Sequence, residues 1–112
     1  MAELQVQAVR QPEGLVVRVC GDAGVASVEQ LQRRLRELNE PVNGLVVLDL
    51  SGLVYVCSLG IGVLVEFRNR VVRAGGRVKV ASAQPMVHQV FTRTALDGVL
   101  EFCESVEQAL GG

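Results

Sequence analysis

The spacing of apolar residues predicts five β-strands. Leu4, Val6 and Ala8 alternate with polar residues, which is the two-residue period of a strand with one face in a core. The predicted strands cover residues 4–8, 15–19, 45–50, 77–81 and 99–102. A turn over residues 10–14 joins the first two strands as a hairpin. Since residues 45–50 are nearly all apolar, we expect that strand to be central and covered on both faces.

Four helices are predicted between and after these strands. Ser27 is interpreted as the N-cap of the first helix, with Gln30 in the capping-box position three residues later. The second helix runs over residues 58–73, Pro85 suits the first turn of the third, and residues 104–110 form the last. Apolar residues recur at helical spacing in the first three helices: Val28, Leu31, Leu35 and Leu38; Ile61, Val65 and Val72; Met86, Val90 and Phe91.

Glycine and proline residues mark the ends of these elements. Residues 21–24 end the second strand, and Pro41 with Gly44 closes the first helix. Residues 74–76 stop the second helix. The predicted order is therefore β-β-α-β-α-β-α-β-α.

Composition narrows the class of protein. The 112 residues correspond to one domain, and 49% are apolar but only 4% aromatic, which favours a core of Val, Leu, Ile and Ala in an α/β arrangement. The net charge of −1 indicates no general attraction to nucleic acid or to an anionic membrane surface. No apolar run reaches the ~18 residues of a membrane span, and the N-terminus lacks the pattern of a signal peptide.

The cysteines indicate a reducing compartment. Cys20, Cys57 and Cys103 are odd in number and widely spaced, with no CxxC pair. This spacing is typical neither of a disulfide framework nor of a zinc site, so we expect a cytoplasmic protein with reduced thiols and no metal.

The best-defined candidate site is the turn between the central strand and the second helix. It places Ser58 and the backbone N–H groups near Gly60 at a helix N-terminus, where negative charge is favoured. Ser58 has three interpretations: an N-cap, a phosphoacceptor, or a surface contact without chemistry. Residue preference favours the N-cap.

Neighbouring residues of this turn offer weaker chemistry. Cys57 lies at the same helix N-terminus, but a phosphatase-like C-x5-R loop would need arginine where Val63 stands. A small buried hydrophobe is the favoured interpretation of Cys57. Gly60 and Gly62 are not followed by the G-K-[ST] of a phosphate loop, so we interpret them as positions of close helix approach.

The remaining polar candidates carry less information. His88 is the only histidine and has no sequence partner that indicates a triad or a metal cluster, so we expect it exposed or half-buried. Asp22 and Asp49 stand at strand ends, on the side where we expect the Ser58 turn. Asp22 is interpreted as a turn residue with local hydrogen bonds.

Several short segments, in order, resemble the STAS domain, the fold of bacterial anti-sigma factor antagonists. These segments are residues 21–22, 46–51, 60–64, 75–80, 91–97 and 104–110. Their order and spacing over essentially the whole chain carry the resemblance, since no single segment is specific. It implies a single α/β domain over residues 1–112, with a mixed β-sheet and helices packed mainly on one face.

The chain departs from this family at its switch site. The family usually reads Asp-Ser-Ser-Gly-Leu-Gly there, and its second serine accepts phosphate from the partner anti-sigma kinase. Aligned without gaps, the chain has Cys57 at the aspartate position, Ser58 at the first serine and Leu59 at the phosphoacceptor. Because Leu59 has no hydroxyl, Ser58 is the remaining candidate acceptor, displaced by one residue.

The sequence therefore favours a protein-interaction module without catalysis or a cofactor. The resemblance implies an anti-sigma factor antagonist-like protein that binds a kinase-type anti-sigma factor and so frees the sigma factor. It also implies the contact residues, which are Asp22, Cys57, Ser58, Leu59, Gly60, Ile61 and Gly62. The expected partner is a protein, with no nucleic acid and no direct membrane insertion.

Two alternatives stay open. One is a STAS subunit of another assembly, such as a lipid-transport ATPase complex, which needs no phosphoserine. The other is a thiol-dependent enzyme that uses Cys57. A thiolate that reacts near neutral pH would support this enzyme, and an inert thiol would exclude it.

Overall fold

Six strands and four helices make up the part of the chain that the computed structural model describes, residues 3–38, 44–94 and 98–111. The strands are β1 (Gln5–Gln11), β2 (Gly14–Ala23), β3 (Leu45–Asp49), β4 (Leu53–Val56), β5 (Arg77–Ala81) and β6 (Glu101–Cys103). The helices are α1 (Val28–Arg36), α2 (Ser58–Arg73), α3 (Pro85–Arg93) and α4 (Val106–Gly111). One 3₁₀ turn, Val25–Ser27, precedes α1.

The sheet is mixed, as expected. Its strand order is β1-β2-β3-β5-β6, and only β1 and β2, which form the hairpin, are antiparallel. β4 lies off this path and pairs in parallel with the last residues of β2. Because β2, β3, β5 and β6 are parallel, the helices between them return antiparallel to the strands and cover one face.

Two cores of unequal size lie on the two faces of the sheet. The larger core includes Val46 and Leu48 of β3 with the buried sides of α1, α2 and α3. The smaller core packs Val47 of β3 against Ala109 of α4. The central, doubly covered position of β3 and the helices mainly on one face are therefore confirmed.

The strand predictions needed four corrections. β2 continues through residues 21–23, which were predicted to end it. β4 was missed because it has only four residues, 53–56, and follows a longer apolar strand closely in the sequence. The last strand begins at Glu101 instead of residue 99. Ala8 is exposed, because the large core ends beside Val6 and leaves the outer part of β1 uncovered.

The helix predictions were closer. α2 has the predicted bounds, and Pro85 begins α3. Val72 and Met86 are exposed, whereas Val71 and Val87 face the core one position away. Two predictions concern residues outside the described part of the chain. One is that Pro41 helps to end the first helix, and the other is the family resemblance of residues 95–97.

The predicted capping box at α1 is wrong. Ser27 does occupy the N-cap position but makes no capping hydrogen bond through its side chain. Gln30 instead donates from Nε2 to the carbonyl of Leu4, at 3.4 Å, and so ties α1 to the edge strand. A capping hydrogen bond of this kind does form at α4, where the amide of Gln108 donates to the hydroxyl of Ser105.

Lys79 is a buried cation that fastens α4 to the sheet. Its side chain is 2% exposed, and Nζ donates to the carbonyl of Ala109 at 2.9 Å. The carboxylate of Glu101 lies 3.8 Å from the same Nζ. α4 is thus held by a charge-assisted hydrogen bond in addition to its small apolar contact.

Removal of this ammonium should loosen α4. We expect Lys79→Ala to lower the free energy of unfolding by about 2 kcal/mol, because a hydrogen bond from a charged group is lost in a buried position. Arg77→Ala is the control on the same strand: Arg77 also pairs with Glu101 but is exposed, so its loss should cost under about 1 kcal/mol. Urea unfolding measures both, and faster amide exchange in residues 106–111 for Lys79→Ala alone would locate the effect.

Candidate partner-binding surface

The N-terminus of α2 is positioned by the end of β2. β2 pairs with β3 as far as Arg18 and with β4 from Gly21 onward, and the register of the second pairing shifts between Gly21 and Asp22. Gly21 has φ +93°, a conformation that favours glycine, and its amide donates to the carbonyl of Gly52 at 2.8 Å. The amide of Cys57 then donates to the carbonyl of Ala23, which fixes where α2 begins.

Gly60 allows α2 to lie against β2 and β4. It is buried, and a Cβ atom there would come within 2.8 Å of Cγ2 of Val56 and 3.1 Å of the carbonyl oxygen of Ala23. The predicted close approach is therefore present at Gly60. It is absent at Gly62, which is exposed and has nothing within 4 Å of its Cβ position.

The N-cap of α2 is Cys57, so the N-cap interpretation of Ser58 is wrong. Cys57 has extended backbone angles, and its carbonyl accepts the hydrogen bond from the amide of Ile61. Ser58 is the first helical residue and is exposed. No side chain caps this helix, and its first turn contains no acidic residue.

Four large apolar side chains are exposed around this helix terminus. They are Val25 (73% exposed), Tyr55 (44%), Leu59 (61%) and Met86 (55%). Together with Ser58 we call them the Leu59 surface. Large exposed apolar groups that lie near one another are typical of surfaces that bind another protein.

A groove with positive charge runs beside Ser58. Its volume is about 560 Å³, and Tyr55, Met86 and Arg93 line it together with Cys57 and Ser58. Arg93 is exposed, and within the described ranges its guanidinium has neither an ion pair nor a hydrogen bond. The positive end of the α2 dipole lies at the same groove. The groove is therefore suited to a partner with a carboxylate beside apolar groups.

The other residues predicted for this site have different roles. Asp22 is half-buried, and its Oδ1 accepts a hydrogen bond from the amide of Gly24 at 2.8 Å, which confirms the local turn. Ile61 is completely buried in the core, so its side chain is not available for the predicted contact. Gly60 is buried as well, and it shapes the site without forming its surface.

Asp49 and His88 lie outside the Leu59 surface. Asp49 is buried and accepts hydrogen bonds from Arg18 (3.3 Å) and from the amide of Ser51 (3.0 Å). Its cavity lies beside α4 instead of α2. His88 is exposed and packs edge-on against Phe102, with 4.6 Å between ring centroids.

The described residues supply little of what covalent chemistry needs at this surface. No base forms a hydrogen bond to the Ser58 hydroxyl, and the described ranges hold no group of three or more metal-ligating side chains. The three cysteines are free and half-buried. Among residues 3–38, 44–94 and 98–111, no helix is long and apolar enough to cross a bilayer.

Sequence reasoning missed four residues of this region, Val25, Tyr55, Met86 and Arg93. Tyr55 could have been found from the apolar and aromatic run at residues 53–56, which is a strand signal. Arg93 had no local signal, because α3 reaches the groove only through its packing beside β4 and α2.

The chain matches one family and many solved structures. A family model for the STAS domain matches residues 5–109. The fold is similar to an anti-sigma factor antagonist from Mycobacterium paratuberculosis, with TM-score 0.84, 19% identity and 97% and 92% of the two chains covered. It is also similar to a STAS domain protein from Planctomyces limnophilus, with TM-score 0.82, 21% identity and 94% of each chain covered.

A third similar structure is a part of a much longer protein. This is the murine solute carrier 26 family member A9 anion transporter, with TM-score 0.71 and 15% identity. The match covers 86% of this chain and 17% of the transporter chain. At these identities the three likenesses establish the fold.

The contrast between the two glycines of α2 is testable by substitution. We expect Gly60→Ala to destabilise the protein by about 1–3 kcal/mol, because the new methyl group overpacks against β2 and β4. Gly62→Ala is the control and should stabilise it by about 0.5–1 kcal/mol, since alanine is the better helix former in open space. Urea unfolding compares them, and shifts of the same sign would contradict the close contact at Gly60.

Proposed function

The chain belongs to the STAS domain family, and from this membership we propose that it is an anti-sigma factor antagonist-like regulatory protein. It binds a kinase-type anti-sigma factor through the Leu59 surface, and this competition frees the sigma factor. The site of action is the cytoplasm, which agrees with three free cysteines.

The exposure of Leu59 is the observation that carries this proposal. A leucine that is 61% exposed in the first turn of a helix contributes nothing to the core. Beside it, Tyr55 offers the kind of aromatic group that often dominates interface energies. Burial of these side chains by a partner supplies binding energy with no covalent step by this protein.

Leu59 also determines how binding is regulated. Where the family has an acceptor hydroxyl, this chain presents an apolar group, so the partner bound there cannot switch the complex by phosphate transfer to that position. Ser58 precedes it on the helix, where each step rotates the side chain by about 100°. Because in-line transfer tolerates little displacement, Ser58 is a poor substitute, and binding is constitutive or is regulated by another means.

One other function has a specific observation in its favour. The fold is similar to a part of an anion transporter chain, since the match covers 17% of that longer chain. A STAS subunit of a transporter complex, for example with a lipid-transport ATPase, would also present an apolar surface without a phosphoacceptor. Binding to a transporter subunit instead of an anti-sigma factor would establish this alternative.

The contact itself can be tested with a charge placed on the surface. We expect Leu59→Asp to weaken binding to the kinase-type anti-sigma factor of the same organism by about 2 kcal/mol, or roughly 30-fold, because a buried apolar contact is replaced by a desolvated carboxylate. Val72→Asp is the control, since Val72 is also an exposed aliphatic residue of α2 but lies near the other end of the helix. Calorimetric titration measures both, and equal affinity of the two variants would contradict the proposed surface.

Regulation is tested by intact-mass spectrometry after incubation with this kinase and ATP. The native chain should be phosphorylated only in part or not at all. Leu59→Ser restores the hydroxyl and should be phosphorylated, which shows that the kinase is active. Ser58→Ala is the control for the displaced hydroxyl. Rapid and complete phosphorylation of the native chain that disappears in Ser58→Ala would show that Ser58 is the switch.

A further inference from the structure

The arginines of the chain gather at one end of the molecule. Ten of the eleven basic residues are arginine, and seven of the ten come from α1, the second half of α2 and the start of β5. They are Arg33, Arg34, Arg36, Arg68, Arg70, Arg73 and Arg77. We call this group the arginine end.

The topology explains why these residues are neighbours. α1 and α2 return antiparallel to the strands, so both helices finish at the edge of the sheet where β3 and β5 begin. Arg36 of α1 donates to Glu66 of α2 at 2.9 Å, and the amide of Arg77 donates to the carbonyl of Gly44.

The arginine end carries excess positive charge. The described carboxylates at this edge are Glu13, Glu37, Glu66 and Glu101, so seven cations and four anions give 7 − 4 = +3, whereas the whole chain carries −1. The hydrogen bond from Arg36 lowers the pKa of Glu66, which therefore stays ionised. Arg33 and Arg73 are exposed, and in the described part of the chain their side chains have no ion pair or hydrogen bond.

Apolar groups project between these charges. Val72 is 41% exposed, and Ala74 and Gly75, which end α2, are exposed as well. Arg68 and Arg77 line a cavity of about 270 Å³ beside Val72. This end combines guanidinium groups for phosphate with small apolar groups that fit between lipid headgroups.

We propose that the arginine end binds the surface of an anionic lipid bilayer. A planar surface contacts only this end, and the acidic residues at the opposite edge of the sheet, such as Asp22 and Glu104, stay away from it. The five residues of β3 separate the two edges by about 16 Å, roughly twice the screening length at physiological salt. The repulsion from these acidic residues is therefore screened.

A nucleic acid fits the same end less well. A long polyanion would extend beyond the arginines toward the acidic remainder of the chain. Bases would also find no exposed ring among the described residues of this end, since Phe67 is buried beneath Arg70 at 5.6 Å. The bilayer is the favoured partner for these two reasons.

Binding in this orientation keeps the Leu59 surface accessible. α2 starts at the edge of the sheet where β2 ends and finishes at the arginine end, so its two termini face opposite sides of the molecule. A bilayer-bound molecule would thus present the Leu59 surface to a soluble partner. The proposal does not depend on which partner that is.

Sedimentation with lipid vesicles tests the proposal on the purified chain. We expect binding to vesicles of phosphatidylcholine with phosphatidylglycerol in roughly equal parts, none to pure phosphatidylcholine, and release by salt. Arg73→Glu should lower the partition coefficient at least about fivefold, since one basic residue near such a surface contributes about that factor. Arg93→Glu is the matched control, because it also ends a helix, is exposed and has no ion pair, but lines the groove beside Ser58.

Three outcomes would overturn the proposal. Absence of binding to the anionic vesicles at low salt would mean that the arginines are only solvated surface residues at the helix ends. An equal loss for Arg73→Glu and Arg93→Glu, with circular dichroism showing both variants folded, would mean that net charge and not this end is responsible. Binding of a DNA duplex at least as tight as vesicle binding, in the same buffer, would assign the end to nucleic acid.

Discussion

The contact of Gly60 with Ala23 and Val56 is the constraint on which the candidate site depends. α2 can begin where it does only because no side chain stands between its first turn and the ends of β2 and β4. The same arrangement requires β2 to change partners, from β3 to β4, between Arg18 and Gly21. Exposure of Ser58 and Leu59 follows from this geometry, because the helix face opposite the contact has only solvent to meet.

The two termini of α2 offer different physical properties at opposite edges of the sheet. The first turn has no side-chain cap and lies beside a groove lined by Arg93, which has no ion pair with any residue that the structure describes. The last turns contribute three of the seven arginines of the arginine end. The net charge of the whole chain does not show this separation, because −1 is the sum of a positive end and a negative remainder. The forces that act on a partner depend on the local charge, because salt screens everything beyond about 10 Å.

Much of the fold could be predicted from local periodicity. The bounds of α2, the hairpin turn and the central place of β3 all followed from the alternation or the run of apolar residues. β4 could not be separated from β3 in this way, because a four-residue strand beside an apolar run has no period of its own. The exposed Val72 was a related error: a helix period fixes the buried face only to within one residue when valines stand at both positions 71 and 72.

The sequence by itself determined the family, the order of the elements except for β4, and the absence of a hydroxyl at position 59, since each of these follows from residue types and local spacing. Only the tertiary structure decided which residues share a surface. Arg93 joins Ser58, seven arginines meet at one end, Ile61 is withdrawn into the core and Lys79 is buried beneath α4. These placements depend on how β2 pairs with distant strands and how the helices pack on them. Such contacts join residues far apart along the chain, and no short segment encodes them.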